Sequence, residues 1–232
     1  MNKIWLILLL ASFSVTHGCS TFVKNHHAPP SNAMERLQSG NRRFVQHHAR
    51  HPHQSAARIA ETAAGQRPYA VVITCSDSRV SPEIIFDEGI GDLFVVRNAG
   101  NIVEEEDVLA SVEYAVEHLG VRTVVVMGHE QCGAIEAMTH EKHEGEPAHI
   151  AAILQQLRDE PEEQKILAGP EKGALLIHKC VVANVEHGIA AMRQQLHHLE
   201  SHSQGGAVSI IGAVYDIQTG VVHFLDIEKM TH

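Results

Sequence analysis

The segment YAVVITCSDSRV, residues 69–80, indicates the fold. It begins with the pattern of a buried strand and ends with thiol, carboxylate and guanidinium side chains. Its first six residues are apolar, aromatic or β-branched without a polar alternation, which predicts a strand covered on both faces. Cys75, Asp77 and Arg79 follow at alternate positions. In open α/β sheets, functional groups gather at the carboxyl ends of the strands. We therefore expect this strand to deliver a thiol, a carboxylate and a guanidinium to one end of a sheet.

Three further stretches have the same continuous apolar character. They are DLFVVRN (92–98), VRTVVVMGH (121–129) and AVSIIGAVYD (207–216). Helical patterns lie between the stretches, at about 105–119, 147–158 and 172–200. A turn at 218–220 predicts one more strand that returns along an edge. The alternation of strands and helices predicts an α/β fold, with a mainly parallel central sheet flanked by helices.

The first 18 residues have the pattern of a signal peptide. Lys3 precedes the apolar run IWLILLLASFSV, and the small residues of THGC follow it. The run is too short for a comfortable membrane span. We expect cleavage and export to the periplasm. Two alternatives remain open: a lipid anchor on Cys19, and an uncleaved apolar helix that packs on the protein body.

Residues 19–32 are polar and contain prolines, which predicts a flexible tether. From Ser31, a good N-cap residue, the pattern predicts an N-terminal helical arm in one or two segments, with Gly40 as a possible break. Residues 33–232 are expected to form one domain, because a chain of 232 residues with 44% hydrophobic residues can bury one good core.

The charge balance argues against a nucleic-acid partner. Removal of residues 1–18 takes away Lys3 only, which leaves 17 basic against 28 acidic side chains, a net charge of −11. Phosphate binding requires a basic face, and none is visible in this sequence. Membrane association is expected only if Cys19 is lipidated.

Two loops carry a candidate metal site. His129 and Cys132 are three residues apart in GHEQCG, so a turn that enters a helix would direct both side chains to one point, and Cys75 can join them from the neighbouring strand. Two thiolates and an imidazole suit tetrahedral zinc with an open fourth position. A disulfide between Cys75 and Cys132 is the alternative in an oxidising compartment. Cys180 lies in an apolar helical pattern and reads as a core thiol.

The combination C-x-D-x-R and H-x-x-C resembles the β-class carbonic anhydrases, in particular their plant-type branch. The resemblance extends over nearly the whole chain after residue 33, through GNRRF (40–44), RNAGN (97–101), EYAVEHLG (113–120) and GHEQCGA (128–134). It implies reversible hydration of carbon dioxide to bicarbonate and a proton, with one zinc ion per chain. The chain would assemble as a homodimer or a dimer of dimers.

The resemblance also assigns roles to individual residues. Cys75, His129 and Cys132 would hold zinc. Asp77 would accept a hydrogen bond from the reactive water, and Arg79 would draw the Asp77 carboxylate away from the metal. The pocket would be lined by residues matching Gln66, Phe94, Tyr114 and Gly133, some of them from a second chain.

Alternatives to these assignments stay open from the sequence. Phe94 and Tyr114 could equally be core residues. The same scaffold could hydrolyse carbonyl sulfide or carbon disulfide by changing only the pocket. A non-enzymatic zinc protein would keep the three ligands but would have no need of Asp77 and Arg79. A redox role is the weakest alternative, because Cys75 and Cys132 are not in a C-x-x-C arrangement.

The sequence predicts that bicarbonate does not inhibit this protein cooperatively. Some β-class enzymes have an inhibitory bicarbonate site that needs a tryptophan three residues before the first cysteine ligand. Here that position is Val72, although the arginine of that site is matched by Arg97. Without the indole spacer and donor, the dehydration rate should rise hyperbolically with bicarbonate at fixed pH and ionic strength. A rate that falls cooperatively at high bicarbonate, with the metal still bound, would contradict this interpretation of Val72.

Overall fold

A five-stranded sheet organises the computed structural model, which describes residues 30–140, 145–197 and 206–225. In chain order its strands are β1 (Ala70–Cys75), β2 (Leu93–Asn98), β3 (Thr123–His129), β4 (Ser209–Tyr215) and β5 (Val222–Phe224). Their order across the sheet is β2-β1-β3-β4-β5. The first four strands are mutually parallel, and β5 runs antiparallel to β4. The predicted α/β fold with a returning edge strand is therefore confirmed.

Eight α-helices surround the sheet within the described residues. They are α1 (Pro30–Val45), α2 (Ala56–Thr62), α3 (Pro82–Ile85), α4 (Glu106–Glu117), α5 (Gly133–Met138), α6 (Ala148–Asp159), α7 (Pro161–Leu167) and α8 (Gly173–Gln195). The three predicted helices correspond to α4, α6 and α8. Three short helices, α2, α3 and α7, were not predicted, because so few residues do not establish a helical period. The six-residue α5 is the helix expected after the turn that carries His129 and Cys132.

Both faces of the central strands are covered, which explains their continuous apolar sequence. Every residue of β1 and β3 is buried. On one face, Val71 and Val126 belong to a core cluster that includes residues of α4 and α8. On the other face, Val72 and Val125 pack in a cluster with Leu37 of α1. A strand buried on both sides has no polar positions to alternate with the apolar ones.

Helix α1 runs without interruption through Gly40, so the possible break is not present. Gly40 is buried, and a Cβ atom at this position would lie 1.7 Å from the carbonyl oxygen of Phe86. The glycine therefore allows the helix to approach the backbone after α3 closely. Leu37, one turn earlier, is fully buried against the chain's own sheet. The arm is thus part of the core of a single chain.

Several sequence predictions concern residues outside the described part. The signal peptide (1–18), the lipid anchor on Cys19 and residues 19–29 of the tether lie there. The last three residues of the predicted tether belong to α1, which begins at Pro30. Among the helices of the described residues, none has the length and apolar character needed to cross a membrane.

Asn41 connects α1 to two distant segments through its buried amide. Its Nδ2 donates to the carbonyl oxygens of Ile85 at 3.2 Å and Gly220 at 2.8 Å. Its Oδ1 accepts from the backbone N–H of Val222 at 2.9 Å. One side chain therefore satisfies three backbone groups, at the end of α3 and at the start of β5.

We expect Asn41→Ala to lower the free energy of unfolding by about 3 kcal/mol, because it leaves buried backbone groups without partners. Urea unfolding at a fixed protein concentration measures the change. Arg42→Ala, one residue along on an exposed position, is the control and should stay within about 0.5 kcal/mol of the parent. Equal stability of the two variants would show that the Asn41 bridge contributes little.

Candidate metal centre

Three donor side chains meet where adjacent parallel strands end. Cys75 is the last residue of β1, and His129 is the last residue of β3. Cys132 occupies the N-cap position of α5. Between His129 and Cys132 the chain turns through Gln131, which has a positive φ of 53°. This turn lets two residues of one loop face the end of the neighbouring strand.

The three donor atoms are close together and shielded from solvent. One atom from each of Cys75, His129 and Cys132 lies within 4.8 Å of the others. The residues are 6%, 0% and 1% exposed. Both cysteines are free thiols, so the structure does not contain the alternative disulfide. The set has the composition and convergence that a zinc ion requires.

The orientation of His129 fits the role of a ligand. Its Nδ1 lies 2.9 Å from the carbonyl oxygen of Glu130, which can only accept a hydrogen bond, so Nδ1 carries the proton. The lone pair is then on Nε2, which is buried and has no hydrogen-bond partner within the described residues. A buried acceptor without a partner is costly. A metal ion at this point would satisfy it.

One of the two thiols favours the deprotonated state that a metal needs. The hydrogen bond from the Cys132 thiol to the sulfur of Cys75 is the main cause that lowers the pKa of Cys75 to about 4, and it outweighs burial. The anionic Cys75 in turn raises the pKa of Cys132, and burial adds to this rise. Without a cation the pair therefore keeps one proton between two sulfurs. A divalent ion would replace that proton.

Asp77 and Arg79 form a two-pronged ion pair beside the donors. Arg79 donates from Nε to Oδ1 of Asp77 at 2.9 Å and from a terminal guanidinium nitrogen to Oδ2 at 2.6 Å. The backbone N–H of Arg79 also donates to Oδ1. These bonds hold the pKa of Asp77 well below its usual range. Oδ2 of Asp77 lies 4.0 Å from Nε2 of His129, so the carboxylate borders the centre.

Arg97 supports this loop in a way that the sequence analysis missed. Its guanidinium donates to the backbone carbonyl oxygens of Cys75 at 3.2 Å and Asp77 at 2.7 Å. The segment that carries ligand and carboxylate is thus fixed from the neighbouring strand β2. A basic residue at the end of β2 was visible in the sequence, but its backbone targets depend on the strand order.

The four predicted pocket residues are not brought together in one chain. Gly133 begins α5 beside Cys132, and a Cβ atom there would meet only open space. Gln66 is exposed and precedes β1. Phe94 pairs in register with Val71, about 13 Å along the strands from the centre, and its ring lies 6.3 Å from that of Tyr114. A pocket containing all four residues requires a second chain and stays a prediction.

Comparisons with known proteins identify the family. A family model described as Carbonic anhydrase matches residues 70–222. Carbonic anhydrase 2 of Mycobacterium tuberculosis is 35% identical over 193 residues, covering 82% of this chain and 90% of that protein. The Coccomyxa β-carbonic anhydrase in complex with acetazolamide has a TM-score of 0.65 at 27% identity, covering 85% of this chain and 86% of its own.

A further solved structure agrees with this family. It comes from the crystal structures of two tetrameric β-carbonic anhydrases of the ascomycete Sordaria macrospora. The TM-score is 0.64 at 26% identity, and the match covers 84% of this chain and 98% of the other.

The matched region contains the whole candidate centre. It runs from the first residue of β1 to the first residue of β5, and includes Cys75, Asp77, Arg79, His129 and Cys132. The sequence family, the curated relative and the solved folds agree with one another and with the geometry at the strand ends. The chain therefore belongs to the β-class carbonic anhydrases.

Proposed function

We propose that this carbonic anhydrase hydrates carbon dioxide with one zinc ion per chain, held by Cys75, His129 and Cys132. The observation that carries the proposal is the convergence of three buried donor atoms around an imidazole nitrogen that has no other partner. When bound, zinc supplies Lewis acidity that lowers the pKa of a water molecule to about 7, which makes hydroxide available at neutral pH.

Asp77 would orient the reacting water. Its carboxylate is ionised and can therefore only accept hydrogen bonds, and its Oδ2 lies next to the centre. Accepting a bond from the water would fix its orientation and therefore the direction of the oxygen lone pairs.

Arg79 would act as a positioning residue for Asp77. It binds both oxygens of the carboxylate, and it also donates to the backbone carbonyl oxygen of Gln131 at 3.2 Å, in the loop between two ligands. The planar guanidinium suits such bidentate binding, and it keeps its charge at any physiological pH. Without Arg79, the carboxylate would be free to rotate toward the open coordination position.

The alternative functions gain no support from the site. A non-enzymatic zinc protein would have no use for the fully formed Asp77–Arg79 pair. Hydrolysis of carbonyl sulfide or carbon disulfide would use the same ligands, and no feature of the described residues favours those gases over carbon dioxide.

The assembly and location of the enzyme remain proposals. A homodimer or a dimer of dimers is supported by the similarity to tetrameric enzymes of Sordaria macrospora and by a pocket set that one chain does not bring together. Light scattering coupled to gel filtration tests the assembly. Export rests on the pattern of residues 1–18, and the intact mass of the mature chain distinguishes simple cleavage from a lipid on Cys19.

We expect Cys132→Ser to lose both zinc and hydration activity, because a hydroxyl is a far weaker zinc ligand than a thiolate. Metal analysis and stopped-flow hydration assays on the same samples measure the two losses. Cys180→Ala is the matched control. Cys180 is also buried, and burial raises its pKa to about 11, so it stays a protonated core thiol and its loss should leave about one zinc per chain. Full activity in a zinc-free sample would refute the zinc assignment.

We expect Arg79→Ala to keep about one zinc per chain and to lose at least about 100-fold in kcat/KM, equivalent to about 2.7 kcal/mol in the barrier. The freed carboxylate would compete with water for the open position. Arg79→Lys keeps the positive charge but not the planar guanidinium, so its kcat/KM should lie between those of the parent enzyme and Arg79→Ala. If Arg79→Ala stays within a few-fold of the parent enzyme, the positioning role is wrong.

A further inference from the structure

A second set of side chains, of the kinds that can bind a metal ion, converges away from the centre formed by Cys75, His129 and Cys132. Glu104 lies in the segment before α4, Glu160 lies between α6 and α7, and His187 lies within α8. One donor atom from each of these residues is within 4.8 Å of the others. The carbonic anhydrase mechanism described above uses none of them.

The imidazole of His187 is oriented as a ligand would be. Its Nδ1 lies 3.0 Å from Oε2 of Glu162, and an ionised carboxylate can only accept, so Nδ1 donates. Nε2 then points toward Glu104, whose Oε1 is 3.4 Å away. This nitrogen is buried and makes no hydrogen bond within the described residues. An imidazole anchored by a carboxylate on one nitrogen and free on the other is the usual arrangement of a histidine that binds metal.

Glu160 provides an independent sign that a cation belongs here. The residue is only 5% exposed, and its Oε2 is buried and has no hydrogen-bond partner among the residues that the structure describes. Glu163 is fully buried beside it, and within the same described part neither of its carboxylate oxygens has a hydrogen-bond partner. When both carboxyls are ionised, neither can donate to the other, so the pair then has acceptors and no donor.

The surrounding side chains increase the excess of negative charge around Glu160 and Glu163. In the part of the chain that the structure describes, the basic side chain that faces these carboxylates is the His187 imidazole, which lies 3.4 Å from Glu104 and 3.0 Å from Glu162. Burial and the neighbouring carboxylates raise the pKa of Glu160 to about 10, and burial raises that of Glu163 to about 7. Ionised carboxylates at these positions therefore need a compensating positive charge.

We propose that Glu104, Glu160 and His187 form a second metal site, which binds a divalent first-row cation, with Glu162 orienting the imidazole. Carboxylate oxygens suit manganese and imidazole suits zinc, iron and nickel, so the mixed set favours this class over magnesium or calcium. The ion would connect the segment before α4, the junction of α6 and α7, and the middle of α8. Its role would be structural, and it is independent of the proposed chemistry at Cys75, His129 and Cys132.

Manganese is the probe that separates the two sites, because it prefers oxygen ligands to thiolates. Enzyme already loaded with zinc is titrated with Mn²⁺, and free Mn²⁺ is followed by electron paramagnetic resonance. We expect about one bound Mn²⁺ per chain, with the zinc content unchanged. Binding should also raise the thermal unfolding midpoint of the wild-type enzyme.

Four variants test which residues hold the ion. His187→Gln and Glu104→Gln should weaken Mn²⁺ binding at least about ten-fold, and Glu162→Gln by about 10- to 100-fold through the imidazole. The Glu104 side chain is 36% exposed, so its replacement should leave the fold intact. Glu61→Gln is the control, since that carboxylate is 68% exposed and pairs with Arg58 outside the cluster.

Two results would overturn the proposal. One is Mn²⁺ binding that is equal in the wild type, the cluster variants and Glu61→Gln, which would indicate scattered surface sites. The other is the absence of bound Mn²⁺ together with a Glu160→Gln variant that is more stable than the wild type in the presence of the metal. That outcome would mean that the buried carboxyls share protons and bind no cation.

Discussion

The parallel pairing of β1 with β3 is the constraint on which the catalytic end of the molecule depends. It places Thr74 opposite Met127, one residue before the cysteine of one strand and two before the histidine of the other. The buried hydroxyl of Thr74 donates to the carbonyl oxygen of Met127 at 2.8 Å and adds a side-chain bond to this register. A shift by one residue would turn Cys75 to the opposite face of the sheet and separate it from His129. Burial of both strands on both faces fixes the register, so the core and the metal centre have one cause.

The carboxylates near the two clusters have contrasting surroundings. Asp77 is matched on both carboxylate oxygens by Arg79, and Arg97 holds the backbone around it. That arrangement keeps a carboxylate ionised and oriented at the edge of the centre, where it can still accept one more bond. Glu160 and Glu163 are more deeply buried than Asp77, and they have no such partner among the described residues. Since a protein rarely retains unmatched buried carboxylates, the contrast argues for a positive charge at the second cluster or for a shared proton.

Local sequence was sufficient to predict the strands and the convergence of Cys75, His129 and Cys132. It did not predict contacts between residues that are distant in sequence. The strand ends carry Cys75 and His129 directly, and three residues separate His129 from Cys132, so topology alone brings them together. The backbone targets of Arg97 and the partners of His187 depend on how separate elements pack, which no single segment encodes. Helix α1 shows the same limit at Gly40, whose neighbour Phe86 is 46 positions away. The proposed pocket residues Gln66, Phe94 and Tyr114 go one step further, because their proposed role would depend on a second chain.

The free thiols of the centre set a condition on the proposed export. Cys75 has the low pKa of a reactive thiolate, and its sulfur lies within 4.8 Å of that of Cys132. In an oxidising compartment such a pair forms a disulfide readily, and a disulfide would remove two of the three ligands. Ligation by a metal prevents this reaction because it occupies the lone pairs with which a thiolate attacks. Zinc at this centre would thus have two functions in an exported enzyme: it supplies the Lewis acid, and it keeps its own ligands reduced. Loading with zinc must then precede or outpace oxidation as the chain folds.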